Sequence, residues 1–356
     1  MARDGQPAAG ETGRVAQYGT AVWSSPAWRH DAVSWLDQQL AAAGLNRTGE
    51  VTQPRLRPWG TVLEAPTNRG TVWLKAPGPN TVFEVELYQL LRRVTPVWVL
   101  PPLGVDLERG WVLLPDGGQN LGECLDDIDI VDVFVVILQQ YAQFQRTLMA
   151  YVGDLLACGV ADMRPALMPQ RFDEAAAVAR QYVEGHGDAA DRALLDRAIA
   201  TRNTFERWCD RLAGATITAS LDHNDLHPWN VFADEQVTLR RANPVKFYDW
   251  GDSVVAHPFS SMLLGLGFLS QHLGVGPDDP AVVRPRDAYL EVFSDLASHA
   301  ELVDELEAAC WVAKVARVLT WDRALQSPDG EQAEEYARAP FRWFTSLAAD
   351  SWIAVD

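Results

Sequence analysis

The chain has 356 residues, 48% hydrophobic and 22% charged, a composition typical of a globular protein with a large core. Its formal net charge of −18 argues against a nucleic-acid partner, because contacts with phosphates need a basic face. No apolar run approaches the roughly 20 residues of a membrane-spanning helix, so we expect no membrane partner. Four cysteines without a Cys-x-x-Cys spacing favour reduced thiols over disulfides or a zinc cluster.

The N-terminal segment is rich in Gly, Ala and polar residues and lacks the apolar stretch of a signal peptide. We therefore predict a disordered tail over residues 1–19 and a cytoplasmic protein. Nothing in the sequence indicates the oligomeric state.

Residues 20–114 are predicted to form a β-rich lobe with one helix before the sheet and one helix packed on it. Apolar residues at helical spacing indicate the helices, and short apolar runs between turn residues indicate the strands. The pattern predicts, in chain order, a helix over Arg29–Ala43, strands over Gly60–Ala65 and Thr71–Ala76, a helix over Thr81–Val94, and strands over Val97–Leu100 and Trp111–Leu114.

Residues 115–118, Pro-Asp-Gly-Gly, interrupt this pattern and are predicted to form a hinge. Beyond them the apolar spacing is mainly helical, over residues 123–213 with a break at Cys158–Pro169, and again over 285–325 and 332–349. Residues 119–356 are therefore predicted to form a larger helical lobe. The expected fold class is α+β, with two lobes of unequal size.

Two short motifs carry most of the chemical information in this sequence. Residues 223–230 read His-Asn-Asp-Leu-His-Pro-Trp-Asn, and Asp-Trp-Gly follows at residues 249–251. They supply a carboxylate, a carboxamide five residues later and a second carboxylate. Phosphoryl transfer needs such groups, one to orient an attacking hydroxyl and others to hold Mg²⁺ against the phosphates. Asp and Asn are also common as helix caps and in turns, but that accounts for single residues rather than the combination.

The two motifs resemble those of the aminoglycoside phosphotransferase family, which includes relatives of choline kinases and, more distantly, of protein kinases. The order of the predicted lobes extends the resemblance from about residue 50 to the C-terminal helices. It implies a bilobal protein-kinase-like fold, the use of ATP and Mg²⁺, and a small-molecule hydroxyl acceptor. His227 stands where protein kinases of the Ser/Thr type usually carry a lysine, which favours a small-molecule acceptor.

The resemblance assigns roles to the motif residues. Asp225 is the expected catalytic base, which aligns the hydroxyl and accepts its proton. Asn230 and Asp249 are the expected metal ligands. His223 is expected to brace the loop, and His227 to support the acceptor site.

Lys75, at the end of an apolar strand, is the expected cation for the ATP phosphates, although an ordinary strand-end lysine is solvated. Its partner should be a glutamate on the next helix, and periodicity alone leaves both Glu84 and Glu86 open. The Glu-x-x-Leu-x-x-x-Leu pattern of related kinases favours Glu84. Adenine is expected against the hinge, and the cofactor-binding residues predicted there are Leu113, Leu114 and Asp116.

The sequence leaves three further questions open. A catalytically silent nucleotide sensor and a metallohydrolase using His223, Asp225, His227 and Asp249 are alternative functions. The acidic charge would suit a cationic acceptor, but an acidic solvated surface explains it equally well. Two features also depart from the family pattern. The spacing from Asn230 to Asp249 is long, which we attribute to a hairpin over Asp234–Pro244, and the helix after the second motif lacks the usual acidic residue.

Overall fold

The computed structural model describes residues 18–233, 244–326 and 334–353. The first lobe contains a five-stranded antiparallel sheet with the strand order β1-β2-β3-β5-β4. The turn between its second and third strands ends at Gly70, which has a φ of 104°, a backbone conformation that would be strained in a residue with a side chain. The strands are β1 (Thr52–Arg57), β2 (Gly60–Thr67), β3 (Gly70–Pro77), β4 (Gly104–Asp106) and β5 (Trp111–Pro115).

Helices cover the two faces of this sheet. The N-terminal helices α1 (Thr20–Trp23) and α2 (Pro26–Ala42) pack on one face, in a small core that contains Leu74 and Leu113. Helix α3 (Phe83–Val94) belongs to the large core on the other side, together with Leu114. Because side chains alternate along a strand, Leu74 and Lys75 point to opposite faces. The alternation buries Leu74 under α2 and sends Lys75 towards α3 and the second lobe.

The second lobe is mainly helical and is built around one continuous core. Short strands carry the motif loops within it: β6 (Ala161–Asp162), β7 (Ser220–Asp222), β8 (Val231–Phe232), β9 (Lys246–Phe247) and β10 (Val254–Ala256). Its α-helices within the described residues are α4 (Ile130–Leu148), α5 (Val152–Ala157), α6 (Met168–His186), α7 (Ala189–Ala200), α8 (Arg202–Ala213), α9 (Met262–Leu273), α10 (Pro280–Glu291), α11 (His299–Leu325) and α12 (Ala339–Thr345).

These elements confirm the α+β class with a β-rich lobe and a helical lobe. The strand predicted over Val97–Leu100 is wrong: Val99 forms only an isolated bridge with Phe247, which joins the lobes. Strand β1 was not predicted, because its apolar residues are too few to show alternation. The predicted tail and the hairpin predicted over Asp234–Pro244 lie largely outside the described residues.

Hydropathy along the helices also bears on the membrane prediction. Within the described ranges, none of the helices combines the length and the apolar character that crossing a membrane requires.

Candidate active site

The two motif loops lie side by side because the same two small ladders hold both of them. Strands β7 and β10 pair at one end, and β8 and β9 pair at the other. Residues 223–230 connect β7 to β8, and residues 248–253 connect β9 to β10. The backbone N–H of Tyr248 donates to the carbonyl of Asn230 at 3.2 Å and links the loops directly. The pairing therefore brings Asn230 and Asp249 next to each other, although ten residues between them are outside the described part of the chain.

Each loop contains one residue with left-handed backbone geometry. Asn224 has a φ of 57° and Asp249 a φ of 66°, values that non-glycine residues adopt at a cost. Side-chain contacts hold Asn224 in place: its N–H donates to Asp222 Oδ1 at 2.8 Å, and its Nδ2 donates to Thr320 Oγ1 at 2.8 Å. Strained backbone of this kind is concentrated at functional sites in proteins.

Lys75 lies between two carboxylates from different parts of the chain. Its Nζ is 2.6 Å from Glu84 Oε1 and 2.5 Å from Asp249 Oδ1, which is 174 residues away in sequence. Burial opposes the charged amine, but the two carboxylates outweigh it and raise the pKa of Lys75, so the amine is a cation at neutral pH. Glu86, the alternative partner, is exposed. The pairing expected for Glu84 is therefore the one present in the structure.

Glu84 also contacts the second motif. Its side chain is fully buried, and Oε1 accepts a hydrogen bond from the backbone N–H of Trp250 at 2.9 Å. Burial raises the pKa of Glu84, and the charge of Lys75 counteracts that effect. A Cβ at Gly251 would lie 3.3 Å from Glu84 Oε2, so the glycine of the motif leaves room for this ion pair.

Three side chains surround the carboxylate of Asp225. His227 Nε2 is 3.2 Å from Oδ2, Asn230 Nδ2 donates to the same oxygen at 3.2 Å, and Arg317 Nη2 lies 3.4 Å from Oδ1. Burial would raise the pKa of Asp225, but Arg317 and then His227 hold it below the usual range. The pKa of His227 is raised, because the hydrogen bond and charge of Asp225 overcome its burial. Asp225 is therefore ionised at neutral pH.

Arg317 is the site residue that the sequence analysis missed. It lies on α11, is 4% exposed, and also contacts Asp252 Oδ2 at 2.9 Å and the carbonyl of Asn224. Its guanidinium supplies a cation beside Asp225, where residue 227 is His rather than the lysine usual in protein kinases of the Ser/Thr type. The available signal was a charged residue inside the buried apolar run of α11, since buried arginines require partners.

His223 links the two motif loops from within the core. Its ring is buried, its Nε2 is 2.9 Å from the carbonyl of Tyr248, and it packs on Trp250 with ring centroids 4.7 Å apart. Burial lowers the pKa of His223, so the ring is neutral. Within the described residues, no group of three or more His, Cys, Asp and Glu side chains is arranged to hold a metal ion. The metallohydrolase alternative therefore lacks support from geometry.

The donor set that faces the cleft suits a hard cation. Asn230 uses its amide nitrogen on Asp225, with hydrogen bonds to the backbone oxygen at 2.9 Å and to Oδ2, which leaves its amide oxygen as the ligand atom. Asp249 is 33% exposed and ionised, because Lys75 lowers its pKa against the effect of burial. Carboxylate and amide oxygens are the ligands that Mg²⁺ prefers. These residues fit a magnesium ion held together with substrate phosphates.

Two cavities meet around these groups. The first has a volume of 530 Å³, and its lining includes Lys75, Asp225, Asn230 and Asp249. The other, of 390 Å³, lies against the hinge and is lined there by Leu114, Pro115 and Asp116, with Val62 and Tyr88 among its other walls. It shares Lys75 and Asp249 with the first cavity.

Leu113 does not line the hinge cavity. Its side chain is buried under α2 on the opposite face of the sheet, and its carbonyl accepts from the N–H of Leu103 at 2.7 Å. Strand alternation explains the difference from Leu114, which faces the cavity.

A buried hydrogen-bond network supplies the brace that the missing acidic residue had put in doubt. The carboxylate comes from Asp222, at the end of β7, and it accepts from Ser261 Oγ at 2.5 Å, just before α9 begins. Burial raises the pKa of Asp222 to about 6. Tyr141 bonds Ser261 and the backbone N–H of His223. The carboxylate is thus present on the strand rather than on the helix.

No protein-family model matches this chain, and no curated protein matches it. Solved structures match over most of its length. A macrolide 2′-phosphotransferase type I gives a TM-score of 0.54 at 16% identity, covering 89% of this chain and 96% of that chain. An ethanolamine kinase from Plasmodium vivax gives 0.59 at 12% identity, covering 92% and 93%. An amicoumacin kinase, solved with AMP-PNP and Ca²⁺, gives 0.52 at 12% identity, covering 92% and 98%.

Sequence identities this low establish a shared fold rather than a shared reaction. The chain has the bilobal fold of these small-molecule phosphotransferases and kinases. The resemblance indicated by the two motifs is confirmed at that level.

Proposed function

We propose that the protein is an ATP- and Mg²⁺-dependent phosphotransferase that moves the γ-phosphoryl group of ATP to a hydroxyl of a small molecule. The observation that carries this proposal is one cleft in which Lys75 from the sheet meets Asp225, Asn230 and Asp249 from the helical lobe. A phosphoryl-transfer site needs a phosphate-binding cation, hard metal ligands and a base within one cleft. The fold shared with small-molecule kinases supports the same conclusion.

Asp225 acts on the acceptor. The acceptor hydroxyl donates a hydrogen bond to the carboxylate, which orients its oxygen towards the γ-phosphorus. The new P–O bond forms as the bond from the γ-phosphorus to the bridging oxygen breaks, and ADP leaves. The hydroxyl proton passes to Asp225, which is ionised and ready to accept it because Arg317 lowers its pKa.

Lys75 and the metal ligands act on ATP. Lys75, fixed by Glu84, donates to the phosphates, and the hinge residues Leu114 and Asp116 contribute backbone groups for adenine. Asn230 and Asp249 would hold Mg²⁺, which neutralises charge on the phosphates. The amicoumacin kinase structure contains a nucleotide analogue and a divalent cation, which supports this assignment by analogy.

Acceptor-dependent release of ADP tests the proposal. The assay uses the purified chain with MgATP and a panel of aminoglycosides, amino sugars, choline-like alcohols, macrolides and uncharged alcohols. We expect Asp225→Asn to lower turnover by about 10²–10⁴-fold, because the base is lost while the shape of the side chain is kept. Asp210→Asn is the matched control. It makes the same replacement of a carboxylate by a carboxamide at an exposed residue outside the cleft, and it should behave as wild type.

The result also separates the alternatives. Normal turnover in Asp225→Asn would refute the role of Asp225. Saturable MgATP binding without turnover on any acceptor would favour the silent nucleotide sensor. Failure to bind MgATP at all would refute the kinase assignment.

A further inference from the structure

A third cavity, of 780 Å³, opens beside the catalytic cleft on the side of the helical lobe. It is continuous with the cleft, because His227, Trp229 and Trp321 line both spaces. His227 Nε2 is 3.2 Å from Asp225 Oδ2, so a molecule in this cavity lies next to the proposed base. The volume is within the range of about 300–1,000 Å³ that sites for drug-sized ligands have.

The walls of this cavity, which we name the acceptor cavity, are mainly apolar. Helix α9 contributes Leu264 and Phe268, and the C-terminal part of the chain contributes Trp343 and Ile353. Trp229 is 45% exposed and closes the side next to the cleft. Its indole packs against Gly122, where an added Cβ would come within 2.4 Å of the ring, so only a glycine leaves room for the tryptophan in this position.

Carboxylates are absent from the described residues that line the acceptor cavity. The charged or titratable side chains among them are His227 and Arg342, neither of which is an anion. Of the carboxylates that line the catalytic cleft, Glu84 and Asp249 pair with Lys75, and Asp225 and Asp252 pair with Arg317. Glu123 is exposed, and it lines the cleft and the hinge cavity rather than the acceptor cavity. A polycationic acceptor would therefore enter a cavity whose described walls offer it no counter-charge.

Ring faces could bind a quaternary ammonium without carboxylates, but the faces of Trp321 and Phe268 are engaged by the protein itself. Trp229, 45% exposed, is a single ring rather than a cage. Trp321 stacks on Tyr336 and carries the Arg317 guanidinium 5.9 Å from its ring centroid. Phe268 stacks on His272 at 5.7 Å and on Phe134 at 6.2 Å. Rings whose faces are covered in this way present their positive edges, which do not attract cations.

We propose that the acceptor is a drug-sized, predominantly apolar alcohol, recognised by apolar contact rather than by positive charge. This inference rests on the proposed phosphotransferase function. It replaces the expectation from net charge, because the acidic surface of the molecule does not extend to the described walls of the acceptor cavity.

Filling the cavity from its wall tests the inference. Gly267 lies on α9 with Ile353 as its neighbour, 3.5 Å from the position of an added Cβ, so a leucine there would project into the space without a backbone clash. We expect Gly267→Leu to raise the acceptor KM at least about tenfold while the KM for ATP changes less than about twofold. Gly185→Leu, on α6 with open space around it, is the matched control.

The probes are chloramphenicol and a macrolide aglycone, which lacks the amino sugar, as uncharged apolar alcohols, against kanamycin and choline as cations. Binding is measured by quenching of tryptophan fluorescence, and turnover by ADP release. A second variant, Leu264→Ser, removes apolar wall without filling the cavity, so a folding failure of Gly267→Leu does not decide the outcome. We expect both variants to weaken binding of the apolar probe and leave MgATP binding unchanged.

Binding and turnover separate the inference from the function beneath it. Suppose that an apolar probe binds the wild-type protein, binds Gly267→Leu more weakly, and yet releases no ADP. That result would support the cavity assignment and count against phosphotransfer to that alcohol. Preference for kanamycin or choline, or no binding of either apolar probe up to its solubility limit, would overturn the inference.

Discussion

At the residue scale, the site consists of opposed charges that fix one another's ionisation. Lys75 is held as a cation by Glu84 and Asp249, and Asp225 is held as an anion by Arg317 and His227. Both features suit phosphoryl transfer, which needs a permanent cation for the phosphates and an unprotonated base for the hydroxyl. Breaking one pair should therefore change the pH dependence of the reaction as well as its rate.

Arg317 gives the sharpest prediction at this scale. A base must be unprotonated, so kcat/KM for the acceptor falls as pH drops through the pKa of Asp225, which Arg317 keeps below its usual range. In Arg317→Gln the largest effect that offsets the burial of Asp225 is lost and the effect of His227 remains, so the pKa of Asp225 rises and the acidic limb should move up by about one pH unit or more. The measurement is the pH profile of kcat/KM at saturating MgATP.

Two further variants define the control for Arg317. Arg317→Lys keeps a cation beside Asp225, so its acidic limb should lie close to that of the wild type. Arg323→Gln removes a neighbouring guanidinium on the same helix, which contacts the carbonyl of Gly251 rather than Asp225, and should leave the limb in place. An unmoved acidic limb in Arg317→Gln would show that this arginine does not set the pKa of Asp225.

At the element scale, strand β7 and the start of α9 are joined by the bond from Ser261 to Asp222. We expect Ser261→Ala to reduce the free energy of unfolding by about 1–3 kcal/mol, because the buried carboxylate loses a donor. The folded-state pKa of Asp222 is already raised to about 6, and losing the donor raises it further. The cost therefore applies to the ionised form and grows as pH rises through that pKa.

Denaturant unfolding at about pH 8 and about pH 5 measures this difference, which should be larger at the higher pH. Ser260→Ala is the matched control, since Ser260 is also buried but Ser261 is the neighbour that donates to Asp222. An equal loss of stability at both pH values would contradict the role of the carboxylate.

The elements that the sequence predicted well are those with strong periodicity or strong local chemistry. Helix α3 and the hairpin of β2 and β3 follow from apolar spacing and turn residues, and the two motifs identified the loops that the structure brings together around the cleft. The prediction of a strand over Val97–Leu100 failed because an apolar run of four residues is as typical of a buried loop as of a strand. Leu113 does not line the hinge cavity, because the face of β5 that meets this cavity depends on the register of the whole sheet.

Arg317 could not be assigned from local pattern. Its partners Asp225 and Asp252 lie on loops far away in sequence, and only the packing of α11 against those loops brings them together. The same holds for the acceptor cavity, whose walls come from α9 and from the C-terminal residues. Local pattern thus identified the proposed reacting groups, while tertiary packing determines their ionisation and the shape of the acceptor cavity.

At the scale of the whole molecule, the cleft joins the two lobes, so nucleotide binding should stabilise both. MgATP at about 100 times its dissociation constant should raise the free energy of unfolding by about 2–3 kcal/mol. Asp249→Asn removes a carboxylate from the proposed metal site and should make the stabilisation insensitive to Mg²⁺. Thermal unfolding with ATP, in the presence of Mg²⁺ or EDTA, measures this. Equal Mg²⁺-dependent shifts in wild type and variant would contradict the metal assignment.

The fate of the phosphoryl group itself is the first measurement to make on the proposed reaction. ATP labelled in its γ-phosphate is incubated with the protein, Mg²⁺ and an acceptor that supports ADP release, and the label is located after separation of the products. We expect label covalently attached to the acceptor through a hydroxyl oxygen in wild type and almost none in Asp225→Asn. Label found only as inorganic phosphate, or equal labelling of the acceptor by Asp225→Asn, would contradict it.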